Sequence, residues 1–114
     1  MEQYNTKNFI NAIKASITMW EYIQNNKCRD KMEYFYDNNI TSVPLSACYL
    51  CHITGQNCYY CINWNKENPN DRVHCCNVKS PYYKYNAEIS SAYKIAPEML
   101  TVLKRELKRV TGKE

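Results

Sequence analysis

Apolar residues recur at intervals of three and four positions between Thr6 and Gln24. They are Phe9, Ile10, Ile13, Ile17, Trp20 and Ile23. This spacing places them on one face of an α-helix, so the pattern predicts an amphipathic helix over this stretch. Asn5 or Thr6 is suited to cap its start by accepting a backbone N–H, and Asn25 and Asn26 suit its exit.

A second, shorter helix is predicted from about Lys31 to Tyr36. Asp30 followed by Glu33 has the spacing of a capping box, in which two side chains satisfy each other's unpaired backbone donors. The polar run from Asp37 to Asn39 is expected to end this helix.

The C-terminal third again has helical periodicity, from Asn86 to Val110. Its apolar face consists of Ile89, Ala92, Tyr93, Ala96, Met99, Leu100, Leu103, Leu107 and Val110. Pro97 interrupts this face, so either one helix is kinked there or a second helix begins with Pro97 in its first turn. Thr111 and Gly112 provide the stop signal.

Residues 40–80 lack a sustained helical period, and we expect short extended pieces and turns there. The run from Asn65 to Asp71 is typical of an exposed turn.

The composition points to one folded domain with a small aliphatic core. Leu, Ile, Val and Phe together fill only 21 of 114 positions, a fraction near that below which chains are often disordered. A net charge of +4 and 13% aromatic residues argue against disorder. Seven cysteines suggest that a metal supplements the core.

The chain shows neither the pattern of a secretory signal nor an apolar run long enough to cross a membrane. We therefore expect a cytoplasmic protein with no membrane partner. Cysteines in a reducing compartment more often bind metal or act in catalysis than form disulfides, and the odd number agrees with this.

The strongest motif is a pair of Cys-x-x-Cys units, Cys48 with Cys51 and Cys58 with Cys61, separated by six residues that include Gly55. Each unit directs two thiolates at one point, and a tetrahedral zinc ion needs two such turns facing each other. The spacing predicts a closed, structural zinc site made by these four cysteines.

Other ligands remain possible, because Cys75 or Cys76 is also placed to complete the site, and His52 or His74 is a less favoured replacement. A four-cysteine iron–sulfur cluster is the main competing metal assignment. A redox dithiol is disfavoured, since no βαβ pattern is present. Cys28 stands apart and is expected to be a partly buried thiol.

No catalytic motif accompanies the cysteines. The sequence lacks the zinc-deaminase signature, a phosphate-binding glycine loop, a nucleophile elbow and a metalloprotease helix motif. An all-thiolate zinc site has no open position for water, so we expect a non-enzyme.

The predicted fold is mainly α with a small irregular or β-hairpin zinc knuckle, in a single domain over residues 1–114. Its parts are a helical segment (1–39), the cysteine segment (40–80) and a C-terminal helical segment (81–114). The N- and C-terminal helices are expected to pack together. The predicted helical core contains Ile13, Ile17, Trp20, Ile23, Leu100, Leu103 and Leu107.

Two groups of residues are candidates for binding. Aromatic side chains flank the cysteines, namely Tyr49, Tyr59, Tyr60, Trp64, Tyr82, Tyr83 and Tyr85. They either form an interface or shield the sulfurs. A basic group near the C-terminus consists of Lys104, Arg105, Lys108 and Arg109. It either contacts phosphates or an acidic protein, or it complements the helix dipole.

The order of aromatic and cysteine residues resembles a family of small cysteine-rich proteins. The resemblance is carried by Met19-Trp20-Glu21-Tyr22-Ile23, Tyr34-Phe35, the two Cys-x-x-Cys units, Trp64, a later cysteine, Tyr82-Tyr83-Lys84-Tyr85 and the helix with Ala92, Ile95 and Ala96. Phages and prophages of Gram-positive bacteria carry such proteins, which have no assigned function. The resemblance implies a phage accessory protein in a bacterial host.

Two functions are consistent with these features. The first is binding to a host protein complex, for instance as an inhibitor of a defence nuclease, as anti-CRISPR proteins are. The alternative is a zinc-stabilised nucleic-acid-binding protein. Four thiolates with one zinc ion lower the formal net charge from +4 to about +2, which is weak for a nucleic-acid binder. Capture of a small nucleotide is a third possibility, although the chain has no phosphate-binding loop.

Overall fold

The computed structural model describes residues 6–44, 47–55, 61–75, 77–83 and 91–112. The helices with both ends in these ranges are α1 (Thr6–Asn26), α2 (Lys31–Asp37), α3 (Tyr49–Thr54) and α4 (Ala92–Thr111). The protein is mainly helical, and the described residues form no β-strand. The prediction of a mainly α fold is therefore confirmed, while a β-hairpin or zinc knuckle is not seen in the part of the chain described.

Helix α1 is the centre of the fold, because it packs most extensively on α4 and also contacts α3 and α2. The predicted packing of the N-terminal and C-terminal helices is confirmed. Of the residues predicted to form the helical core, Ile13, Trp20, Ile23, Leu100 and Leu103 are buried. The other two, Ile17 and Leu107, are partly buried at its edge.

The turn after α1 organises the start of α4. Lys27 has a positive φ of 51°, and the N–H of Cys28 donates to the carbonyl of Ile23 at 3.0 Å. This is the hydrogen bond of a Schellman motif, which ends a helix with one left-handed residue. The carbonyls of Cys28 and Arg29 then accept the N–H groups of Tyr93 and Ala92 at 3.0 and 2.9 Å.

Backbone carbonyls of that turn thus satisfy two of the donors that the first turn of α4 leaves open. The helix starts at Ala92, while the predicted start at Asn86 falls outside the described residues. Pro97 lies inside one continuous helix. Gly112, with φ of 69°, follows its last residue as the sequence predicts.

The capping box before α2 is confirmed. The Asp30 carboxylate accepts the N–H groups of Met32 at 2.8 Å and Glu33 at 3.3 Å. In return, the Glu33 carboxylate accepts the N–H of Asp30 at 3.3 Å. Asn39, with φ of 56°, lies just beyond the helix end, within the polar run predicted to terminate it.

The expectation of only extended pieces and turns over residues 40–80 is wrong at one place. Helix α3 begins directly after Cys48 and ends before Gly55, whose φ of 63° is left-handed. Six residues are too few to show helical periodicity, which explains why the pattern did not predict this helix.

Two asparagines organise the loop after Cys61. The side-chain oxygen of Asn63 accepts the N–H groups of Asn65 and Val73, both at 3.0 Å. The side-chain oxygen of Asn65 accepts those of Glu67 and Asn68, both at 2.9 Å. The turn predicted from Asn65 to Asp71 is exposed from residue 67 onward, but Asn65 itself is fully buried.

Candidate metal centre

Helix α3 places the first Cys-x-x-Cys unit. Cys48 is the N-cap residue and Cys51 lies in the first turn, and both are half-buried. The Cys48 side chain accepts no capping hydrogen bond, but it lies at the N-terminus of the helix. A helix N-terminus favours negative charge, so this arrangement suits a thiolate ligand.

The two thiols of this unit form a coupled pair. The hydrogen bond with Cys51 is the main reason that the pKa of Cys48 falls to about 6, with smaller contributions from backbone amides and the charge of Lys31, against the effect of burial. The same hydrogen bond is the main reason that the pKa of Cys51 is raised, followed by burial. The pair therefore loses its first proton easily and holds the second firmly.

Two further cysteines lie within electrostatic range of this pair. The charges of Cys75 and Cys61, together with that of Cys48, raise the pKa of the Cys51 thiol. The indole N–H of the buried Trp64 donates to the Cys61 sulfur at 3.3 Å. Such N–H donors to sulfur are typical of the environment that orients a metal-bound thiolate.

Within the described ranges, no three cysteine, histidine or acidic side chains lie close enough around one point to hold an ion. The chemistry of the donors nonetheless fits zinc, which thiolates bind well. Cys58 and Cys76 fall outside the described residues, so the predicted set of Cys48, Cys51, Cys58 and Cys61 stays a prediction.

The structure also places the two histidines and Cys28. His52 and His74 are both exposed. Cys28 is more buried than expected, with 1% of its surface exposed, and burial is the main cause that raises the pKa of its thiol.

Several aromatic residues predicted to bind a partner are instead part of the interior. Trp64 and Tyr82 are 3% and 7% exposed, and their rings stack with centroids 6.3 Å apart. The alternative interpretation, in which aromatic rings shield the sulfurs, fits Trp64, whose indole N–H donates to the Cys61 sulfur. Tyr49 and Tyr83 are half-buried. The remaining candidates, Tyr59, Tyr60 and Tyr85, lie outside the described residues.

The basic group on α4 is largely engaged within the chain. The Arg105 guanidinium donates to the carbonyls of Asn65 and Asn63 at 2.7 and 2.8 Å. Lys104 pairs with Glu21 of α1 at 3.4 Å. Lys108 is exposed.

Two charged residues that the sequence analysis did not single out are buried. Lys31 is 7% exposed and Glu106 is 1% exposed. Glu106 accepts hydrogen bonds from Arg105 and Arg109, and the three-residue spacing from Glu106 to Arg109 was a signal for that pair. The sequence carries no comparable signal for Lys31, because its neighbours in space come from distant parts of the chain.

Among the described helices, none combines the length and apolar character needed to cross a membrane. Comparison with protein-family models, with curated proteins and with solved structures finds no match for this chain.

Proposed function

We propose that this protein is a zinc-stabilised module that acts by binding a protein partner rather than by catalysis. The proposed metal ligands are Cys48, Cys51, Cys58 and Cys61, with Cys75 as a substitute for one of them. The spacing of the two Cys-x-x-Cys units supports a shared site, because a tetrahedral zinc ion needs two such turns facing each other.

The observation that carries the binding role is an exposed apolar pair on α2. Tyr36 is 85% exposed and Met32 is 51% exposed, and their spacing of four residues puts them on the same helix face. Tyrosine and methionine are both enriched in the centres of protein interfaces. An open groove of about 540 Å³, lined in part by Phe35 and Ile40, adjoins Tyr36.

Three carboxylates belong to α2 or to its N-cap residue. Asp30 and Asp37 are exposed at the two ends of α2, and Glu33 is half-buried between them. The arrangement favours a partner segment that combines apolar side chains with basic ones, since opposite charges at the rim guide and orient association. The same carboxylates disfavour a nucleic acid at this surface.

The alternative of nucleic-acid binding has less support. Stacking on bases needs accessible aromatic faces, whereas Trp64 and Tyr82 are buried. Arg105 is held by loop carbonyls. The partner that we propose from the resemblance to phage-encoded proteins is a complex of a bacterial host, for instance one that includes a defence nuclease.

A retention experiment tests the binding role. Tagged wild-type protein is expected to retain a stoichiometric host protein that survives nuclease treatment. The double variant Met32→Ser/Tyr36→Ser is expected to lose it, while Val78→Ser, which alters another exposed apolar residue, keeps it. Equal retention by both variants would contradict the proposed surface. Retention of unrelated DNA that weakens steeply with salt would favour the alternative.

Elemental analysis of the freshly purified wild-type protein tests the metal. One zinc ion per chain is expected. Absence of any stoichiometric transition metal would rule out the metal centre, whatever the retention experiment shows.

A further inference from the structure

An open cleft of about 420 Å³ adjoins the loop after Cys61. The described residues that line it are Arg72, Val73, His74 and Asn77. None of these four side chains is acidic, and none belongs to α2 or to the proposed metal ligands. The volume lies within the range of pockets that hold small molecules, about 300–1,000 Å³.

Backbone hydrogen bonds fix the segment that forms one side of this cleft. The N–H of Val73 donates to the side-chain oxygen of Asn63 at 3.0 Å, and its carbonyl accepts the N–H of Trp64, also at 3.0 Å. Val73 is buried, whereas Arg72 and His74 on either side of it are exposed. Anchoring of Val73 therefore holds the two flanking side chains at the surface.

A tight turn brings Asn77 back beside His74. The N–H of Asn77 donates to the carbonyl of His74 at 3.0 Å, and the carbonyl of Asn77 accepts the N–H of Ser80 at 2.8 Å. The side-chain oxygen of Asn77 accepts the N–H of Lys79 at 2.8 Å. Because the backbone uses this oxygen, the amide NH₂ is the part of the Asn77 side chain best suited to a ligand.

The polar side chains of the cleft are suited to donate hydrogen bonds. The Arg72 guanidinium donates to the carbonyl of Cys61, and its five N–H groups allow it to hold that carbonyl and an anion together. The His74 imidazole and the Asn77 amide supply further N–H groups. The cleft therefore combines one fixed positive charge with donors from three separate side chains.

This combination favours a phosphate group. Asp71, the acidic residue next to Arg72 in the chain, pairs with Lys79 at 3.2 Å, so its charge is offset. Three donor side chains match the three terminal oxygens of a phosphate monoester better than the two oxygens of a carboxylate. Val73 supplies an apolar wall beside them.

We propose that this cleft binds a small phosphate monoester, with Arg72, His74 and Asn77 as the donors to its phosphate oxygens. The organic group of the ester occupies the remaining volume beside Val73. The inference goes beyond the proposed function, because it uses neither the α2 surface nor the metal centre.

The test titrates the whole protein with phenyl phosphate, inorganic phosphate and phenol, and calorimetry measures each affinity. Phenyl phosphate is expected to bind most tightly, inorganic phosphate more weakly, and phenol without detectable affinity. Arg72→Gln and His74→Ala should each weaken phenyl phosphate at least about 10-fold, because each removes a hydrogen bond to a charged group. Lys94→Gln, at an exposed lysine of α4, should stay within about twofold, since salt screens general attraction by surface charge.

NMR of the wild-type protein locates the ligand without any substitution. The side-chain amide signals of Asn77 are expected to shift when phenyl phosphate is added. Those of Asn26, whose amide donates to the carbonyl of Tyr22 at 2.9 Å, should stay in place. His74→Ala complements Arg72→Gln, because Arg72 also holds the carbonyl of Cys61 and its loss can disturb the loop.

Absence of binding by both phosphates, or unchanged affinity in Arg72→Gln and His74→Ala, would overturn the proposal. Weakening by Arg72→Gln alone, with no shift of the Asn77 signals, would overturn it too, because that result indicates a disturbed loop. Phenol binding as tightly as phenyl phosphate would contradict a phosphate site, and equal affinity for inorganic phosphate would contradict the ester. Retention of a protein partner is measured separately, so failure here leaves the proposed function standing.

Discussion

The buried carboxylate of Glu106 accepts the backbone N–H of Asn63 at 3.2 Å, and this contact joins α4 to the loop that begins at Cys61. Arg109 donates to the same carboxylate at 2.8 Å. Neighbouring Arg105 donates to it and also binds the carbonyl of Asn63. The cysteine segment is therefore fixed to the helical core by one buried charge and its partners.

Replacing Glu106 with alanine is expected to lower the free energy of unfolding by about 3 kcal/mol, because it leaves buried donors without their acceptor. Urea denaturation followed by circular dichroism measures the change. Glu98→Ala is the matched control, since that carboxylate is 44% exposed and pairs with Lys66 at the surface. Its loss should cost at most about 1 kcal/mol. Equal effects of the two changes would refute the anchoring role of Glu106.

Lys27→Gly is expected to stabilise the protein by about 0.5–1 kcal/mol. Lys27 has φ of 51°, a conformation that glycine adopts without the penalty of a Cβ atom. Lys14→Gly, in the interior of α1, should destabilise it by about 1 kcal/mol, as glycine does within helices. Thermal denaturation of the two variants beside wild type provides the comparison. A loss of stability in Lys27→Gly would mean that the turn before α4 depends on the lysine side chain.

Burial of the Cys28 thiol predicts a pH dependence. Because the pKa of Cys28 is raised in the folded state above 9.0, its ordinary value, the unfolded chain releases this proton first as the pH rises. The contribution of Cys28 to the free energy of unfolding is fully present below pH 9.0. It is lost as the pH rises from there through the folded-state pKa. Denaturation midpoints from pH 7 to 10 are expected to fall more steeply for wild type than for Cys28→Ala. Parallel slopes would show that this thiol does not titrate differently on unfolding.

Removal of the metal is expected to abolish cooperative unfolding. Cys51→Ser and Cys58→Ser should both lose bound zinc, because each removes a proposed ligand. Loss of the metal should destabilise the fold, since the free energy of metal binding contributes directly to folding in a small metal-binding domain. His52→Ala should keep the metal, because His52 is exposed beside Cys51 and is not a proposed ligand. Calorimetry before and after complete chelation checks this, and an unchanged melting curve would contradict it.

Local signals predicted the helices well. The capping box of Asp30 and Glu33 and the stop at Gly112 depend on residues within four positions of each other, so the sequence alone reveals them. Helix α3 was missed because Cys48 and Gly55 bound a segment too short for periodicity. The start of α4 depends on carbonyls of Cys28 and Arg29, which no local pattern indicates.

The candidate site was predicted less completely than the helices. The sequence pointed to Cys48, Cys51, Cys58 and Cys61 through their spacing, and it named Cys75 as an alternative; Cys58 lies outside the described residues. It did not distinguish aromatic residues that line the interior, such as Trp64, from those available to a partner. That distinction depends on which residues the tertiary structure packs against each ring.

The amino-acid sequence by itself determined the helical periodicity, the caps of α2 and the pairs of thiols, because each arises from neighbours along the chain. Only the tertiary structure decided that Lys31 is buried against Tyr82, that Glu106 holds the loop after Cys61, and that Tyr36 remains exposed. These outcomes depend on contacts between residues far apart in sequence, where desolvation and hydrogen bonding decide which charged or aromatic groups are enclosed.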